Sequence, residues 1–332
     1  MNASKYKTHL SIFGVLIAIY GIFGWLDVSN YAQGGWNTDR NNVVSQVLPG
    51  SPSEAAGLMA GDQLISLGGI AMSDAKAQSR RNRPEVGETW EFVVERDGQE
   101  MSLDVTFGEP VPQRKLLSHA GFLVGFCFLF FTLRAYLQKQ TPSTATLALA
   151  GTMFSFVFIT GPYFDSYALR SIAIALETLI VFLGIPSILY FLLVHFGSDY
   201  LGKANAKRML YAPGLAVGLF IAWRILATPE ATDGLNLFAS IFVGGVAVFY
   251  LIASLLTVYK NYSAASAAER DSKGLNLMLL GTLVGMLPPV VTIVTGIIAP
   301  QLVLPGQPFY FLSFVLIPIT WSIAALKGAS EA

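Results

Sequence analysis

Residues 48–69 read LPGSPSEAAGLMAGDQLISLGG, a polar, turn-rich stretch that begins about twenty residues beyond an apolar run, Leu10 to Leu26. Ser51-Pro52-Ser53-Glu54 has the form of a capping box with proline at the first helical position. Ala55 and Ala56 extend a short helix; Gly57 is placed for the left-handed stop and Leu58 for the apolar contact that accompanies it. Gly61-Asp62 makes a turn, Gln63 to Leu67 a strand, and Gly68-Gly69 breaks it. Ser73 is placed to cap a second helix over 74–82, which Pro84 ends. Trp90, Phe92 and Val94 then alternate with Glu91 and Glu95, Asp97-Gly98 forms a hairpin turn, and Met101, Leu103, Val105 and Phe107 alternate with Ser102, Asp104 and Thr106. The pattern is a small half-open sheet with two helices.

The rest of the chain is built for lipid. Of 332 residues, 53% are apolar and 13% charged, with a mean hydropathy of +0.56; a soluble domain carries about 25% charged residues. Apolar runs at 10–26, 116–135, 145–163, 171–195, 209–227, 236–258, 275–298 and 308–326 are each long enough for a ~30 Å hydrocarbon core. The expected fold is therefore a polytopic α-helical membrane protein of about eight spans with one small extracytoplasmic α/β domain. Its parts are 1–27 (N-terminus and first span), 28–112 (the polar module), 113–328 (a seven-helix bundle) and 329–332 (a tail). The first run reads as an uncleaved anchor, because Gly24-Trp25-Leu26 is a poor cleavage site.

Net charge is zero, but it is split. Residues 27–112 hold 6 Lys/Arg and 13 Asp/Glu, a net of −7, and the remainder holds 15 and 8, a net of +7. Lys5, Lys7, Arg134, Lys139, Lys203, Lys207, Arg208, Lys260, Arg270, Lys273 and Lys327 fall on one face of the bundle. The alternate loops are poor in positive charge, with Glu230 and Asp233 in one and Arg170 in another. By the bias of Lys and Arg toward the cytoplasm, both termini are expected inside and the module outside the membrane. Arg114 and Lys115 sit on the wrong side of that scheme. No basic run suggests nucleic acid, and the single cysteine, Cys127, excludes an internal disulfide.

The blocks VVSQVLPGSPSEAAGLMAGDQLISLGGIAM and VGETWEFVVERDGQEMSLDVTF together resemble a PDZ domain of the bacterial type, found in HtrA-type and site-2-type membrane proteases. The resemblance implies binding of a peptide or protein C-terminus by strand addition in a groove between an exposed edge and a helix. The edge strand would be Asn42, Val43, Val44, Ser45, Gln46 and Val47. The helix, at 74–82, would present Ala77, Arg80 and Arg81, and Gly34-Gly35-Trp36 would hold the carboxylate on backbone amides. Arg80, Arg81 and Arg83 admit two readings, attraction of an acidic peptide or ordinary solvated charge, and solvated charge is the favoured one. The order of one span, an external module and seven spans resembles the membrane half of competence-type quorum-sensing histidine kinases. That implies a sensor with a cytoplasmic histidine kinase or other signalling partner, the chain itself holding no phospho-acceptor histidine segment or ATP loop. A non-signalling scaffold that tethers envelope proteins or protease substrates is the alternative.

Enzymatic chemistry is not expected. His9, His119 and His195 are far apart and none begins an H-E-x-x-H, there is no G-x-S-x-G, no serine has a plausible histidine, and no metal or other cofactor is implied. Glu177 and Arg224 lie inside spans at similar depth, so an ion pair between adjacent helices is one reading; a structural tether, with Arg224 reaching for the outer interface, is the other. Gly121/Gly125, Gly214/Gly218 and Gly281/Gly285 are spaced for close helix packing.

Overall fold

The computed structural model describes residues 6–39, 41–227, 233–298, 302 and 304–328. Lys5, Glu230, part of the 299–307 loop and the 329–332 tail lie outside the described residues. Seven helical segments among them are long and apolar enough to cross a membrane. These are α1 (Lys7–Leu26), α4 (Pro112–Gln138), α6 (Tyr167–His195), α7 (Ala206–Ala227), α8 (Asp233–Ala264), α10 (Leu275–Ile298), and a 3-10 segment Gln307–Val315 that runs into α11 (Leu316–Gly328). A small sheet region is inserted between α1 and α4. The protein is thus a polytopic helical membrane protein.

The third expected span is not a long helix. Helix α5 (Pro142–Phe154) has 13 residues and rises only about 20 Å. A 3-10 turn, Ser155–Val157, and an irregular run to Tyr163 follow. Proline 162 disfavours helix at Gly161, and the β-branched Val157, Ile159 and Thr160 precede it. The segment nonetheless passes through the bundle. Its start packs beside Tyr136 and Leu10 at one end of α4 and α1, and its end reaches the module, where the Tyr163 amide donates to Asp27 Oδ2 at 3.0 Å. The bundle encloses it: a methyl at Gly24 would lie 2.0 Å from the Thr160 carbonyl oxygen, and one at Gly151 2.3 Å from Thr132 Oγ1. These glycines let backbones meet where side chains would hold them apart.

All three expected glycine pairs make such contacts. Gly121 and Gly125 meet Phe158 and Ser155 carbonyls, Gly214 meets that of Phe182, and Gly281 meets the Thr320 hydroxyl. Helix α9 (Ala267–Ser272) joins α8 to α10 and begins with a capping box between Ser266 and Glu269.

The module has two small sheets and its own core. Strands β1 (Trp36–Thr38) and β2 (Val44–Val47) form an antiparallel pair. Strands β3 (Gln63–Leu67), β4 (Ile70–Ala71), β5 (Thr89–Arg96) and β6 (Gln99–Thr106) form an antiparallel sheet ordered β4-β3-β5-β6. Ser51 Oγ caps α2 (Pro52–Ala55) by accepting from the Glu54 amide, and Gly57 takes φ +85° to stop it. The Glu54 carboxylate accepts from the Gly50 amide, one residue before the cap. Asp97 and Gly98, both at positive φ, turn β5 into β6. The second helix, α3 (Ala75–Arg80), is shorter than expected and is capped by Asp74 rather than Ser73. Val44, Leu58, Leu64, Leu67, Phe92, Val94, Val105 and Phe107 form the core, at roughly 1.5–3 kcal/mol for each large side chain buried. Beneath them Asp62, 1% exposed, holds Arg96 through two bonds of 2.6 and 2.7 Å and accepts from the Met59 amide.

Candidate functional site

The strand expected at the edge, 42–47, is an inner one. Strand β2 pairs with β1 on one side; on the other, Val44 donates to Asp62 O at 2.8 Å and accepts from Gly61, and Leu64 donates to Asn42 O. Val44 is a core residue, 1% exposed. Val43 bridges Gln63, Ser45, Gln46 and Val47 belong to the inner ladder, and Asn42 sits in a turn at φ +63°. On this side the open edge is β1; β4 and β6 are the edges of the other sheet.

Gly34, Gly35 and Trp36 do converge on a cleft, of about 590 Å³, with Arg81, Arg114 and Leu117. Leu48 donates to the Gly35 carbonyl. By the alternation of an antiparallel pair, the Trp36 amide and carbonyl then face away from β2, toward the open edge. Neither the Gly34 nor the Gly35 amide donates to a backbone carbonyl among the described residues. Gly35 adopts φ +88°, which a side chain would resist. The Trp36 ring turns into the core, edge-on to Phe92 at 4.8 Å, so it does not fill the cleft.

The opposite wall is unexpected. Helix α3 contributes no buried residue, and Ala77 and Arg80 do not line the cleft. Arg81, Pro84 and the first turns of α4 close it instead. Bundle and module therefore share one cavity.

The arginines after α3 are not ordinary solvated charges. Residues 80–84 dock on the 161–170 loop. Arg83 donates its amide to Asp165 O at 2.9 Å, Arg170 Nη2 donates to Arg81 O at 2.9 Å, and the Tyr167 amide donates to Asn82 Oδ1 at 3.1 Å. Tyr163 OH donates to Pro84 O, and Arg80 Nη2 to Ala227 O at 3.3 Å. Arg81 lies over the Trp90 ring, 4.7 Å from its centroid, yet its Nη1 is buried with no partner among the described residues. Burial, and then the nearby Arg170, lower its pKa from the ordinary arginine value. An anion in the cleft would reverse both effects.

Glu177 and Arg224 do not pair. Glu177 accepts from Tyr20 OH on α1, and the Gly161 Cα stands so close that a methyl there would overlap the Tyr20 hydroxyl. Arg224 Nη2 instead donates to Asn236 Oδ1 at 3.0 Å. The sequence also left His195 without a serine; the fold brings Ser143 Oγ to 2.9 Å from its Nδ1, with the ring set between Phe191 and Phe196. This bond ties the start of α5 to the end of α6. Sequence reasoning missed the Tyr31, Tyr163 and 161–170 contacts altogether. The available signal was a basic loop, SRRNRPE, and an aromatic one, GPYFDSY, with no period to join them. Neither the protein families nor the curated proteins compared with the chain give a match.

Proposed function

We propose that this protein is a membrane sensor whose module, of bacterial PDZ type, takes an extended peptide or protein C-terminus as an added strand on β1. The carboxylate lies at the Gly34-Gly35-Trp36 amides beside Arg81, and the bundle passes the bound state to a cytoplasmic signalling partner. The module faces outward from a bacterial inner membrane. Arg134, Lys139, Lys203, Lys207, Arg208, Lys260, Arg270 and Lys273 on the far side support that orientation through the bias of positive loops toward the cytoplasm. No chemistry on the ligand is part of the reading.

One observation carries the reading: the cleft beside the open edge of β1 has helix α4 of the bundle as its far wall. A guest strand there would touch module and bundle together. Its binding energy would then differ between arrangements of the two, which is what a ligand needs in order to shift an equilibrium. A tethering scaffold would need no such shared wall. The test is binding of a peptide panel with free and with amidated C-termini to the full chain in nanodiscs, with crosslinking between residues 81–84 and 163–167 as the readout of state. Free ends should bind more tightly and alter the crosslinking yield. Equal binding by both ends removes carboxylate capture; tight binding with unchanged crosslinking favours the scaffold.

A further inference from the structure

Four arginines ring the junction of module and bundle: Arg81, Arg83, Arg114 and Arg170. Carboxylates are plentiful here, residues 27–112 having a net charge of −7. Yet the ion pairs among the described residues lie elsewhere, at Asp62–Arg96, Glu109–Lys115 and Glu269–Lys273. Lys115 has its acid; none of the four arginines is in an ion pair among the described residues, although Arg83 lies within electrostatic range of Glu177. Arg81 and Arg170 each hold a buried Nη1 without a partner among the described residues. Cations at the head of spans on this face also run against the charge bias that sets topology. The first cost falls on Arg81 and Arg170 and the second on Arg114 and Arg170, at the heads of α4 and α6; an external anion at this junction would offset both.

A second cleft, of about 410 Å³, opens at this junction, and Tyr31, Arg83, Arg114, Ser118, Thr160 and Tyr163 line it. It lies where α1 ends, α4 begins and the 142–163 crossing emerges, at the module's end of the spans. The Arg83 guanidinium sits 5.2 Å from the Tyr31 ring centroid and 5.9 Å from that of Tyr163. Both rings are fixed, Tyr31 OH by the Gly161 carbonyl at 2.9 Å and Tyr163 OH by that of Pro84. Arg83 is thus positioned by its neighbours, while Arg114 is exposed on the α4 wall. Two planar forks lining one cleft suit the several oxygens of a phosphate better than the two of a carboxylate.

We propose that this cleft binds a phosphate group through Arg83 and Arg114, and that the source is the headgroup of an anionic phospholipid in the leaflet on the module's side. The proposal does not rest on peptide binding, although Arg114 lines both clefts and links them. The test uses the full chain, stripped of lipid in detergent and offered equal amounts of phosphatidylglycerol and phosphatidylcholine with the same acyl chains, with retained lipid read by native mass spectrometry. Both lipids carry the phosphodiester and differ in net charge, so the wild type should retain phosphatidylglycerol over phosphatidylcholine by about tenfold because the choline cation is repelled by the arginines that hold the phosphate. Arg114→Gln should bring the ratio near one, and Arg114→Lys should restore part of it. Arg83→Gln should act likewise; if that variant misfolds, the exposed Arg114 decides alone. Orthophosphate at millimolar concentration separates the sources. Displacement of the lipid assigns the site to free phosphate as well, and retention assigns it to the headgroup. A wild type that holds both lipids equally and gains no thermal protection from phosphate overturns the proposal. So does a preference that persists in the Arg83→Gln/Arg114→Gln double variant.

Discussion

Replacing Arg81 by methionine should make the empty protein more stable and the receptor worse. Arg81 keeps a buried Nη1 with no partner among the described residues, beside a second guanidinium. An unsatisfied buried donor costs about 1–3 kcal/mol. Against this, the guanidinium stacks on Trp90, worth about 0.5–1 kcal/mol at a partly exposed site, and a methionine sulfur against the same ring recovers a similar amount. The balance favours the variant by about 1 kcal/mol, or a rise of roughly 4–8 °C in the melting of a domain this size. Binding changes in the other direction. A hydrogen bond from a charged donor to a carboxylate contributes about 1.5–3 kcal/mol, so a free-ended peptide should bind roughly 10- to 150-fold more weakly. An amidated peptide, which has no charge to lose, should bind both proteins alike. Unfolding followed through the near-ultraviolet signal of Trp36 and Trp90, with titrations of both peptide forms, measures each sign separately. A variant that melts lower than wild type and binds the free-ended peptide as tightly would refute the reasoning.

Three further outcomes follow from the geometry. The Arg96 guanidinium beside Asp62 holds its carboxyl below the ordinary value of 3.8. The carboxyl's contribution to stability is therefore full above about pH 4, the unfolded value, and lost as pH falls through the lower folded value. Asp62→Ala should cost about 1–3 kcal/mol at neutral pH, because the Arg96 guanidinium it leaves is partly solvated, and flatten the acid limb of a denaturation series. Gly24→Ala should push α1 from the Thr160 carbonyl and cost about 1–3 kcal/mol, whereas Gly202→Ala, with open space around it, should melt like wild type. Residues 28–112 alone should give a cooperative thermal transition, because their eight-residue core draws on nothing from the bundle; a fragment that melts without one would show that docking on 161–170 is needed to fold.

What was legible in the sequence was local chemistry. The cap at Ser51, the left-handed stop at Gly57 and the Asp97-Gly98 hairpin are each decided within a few residues, and long apolar runs announce seven of the spans. Which strand is the edge was not local. It depends on whether Val44 bonds Asp62, eighteen positions away, and nothing in VVSQV marks that. Arg81 and Arg83 read as solvated because their partners, Arg170 and Asp165, lie more than eighty residues on, in a segment with no period of its own. The end of α5 at Phe154 was hidden by composition. FSFVFIT is as apolar as a helix could be, but the chain there passes against glycines of α1 and α4.

The short α5 bears on how the chain is made. Beyond Phe154 the peptide groups as far as Tyr163 lack a continuous helical ladder, and bare amides are not tolerated in hydrocarbon. They are tolerable here because α1 and α4, synthesised earlier, flank them. Partition of this stretch out of the translocon is then a cooperative event that waits on two preceding helices. The interval in which residues 142–163 are delivered before those helices have assembled is the stage at which biogenesis is most exposed to quality control.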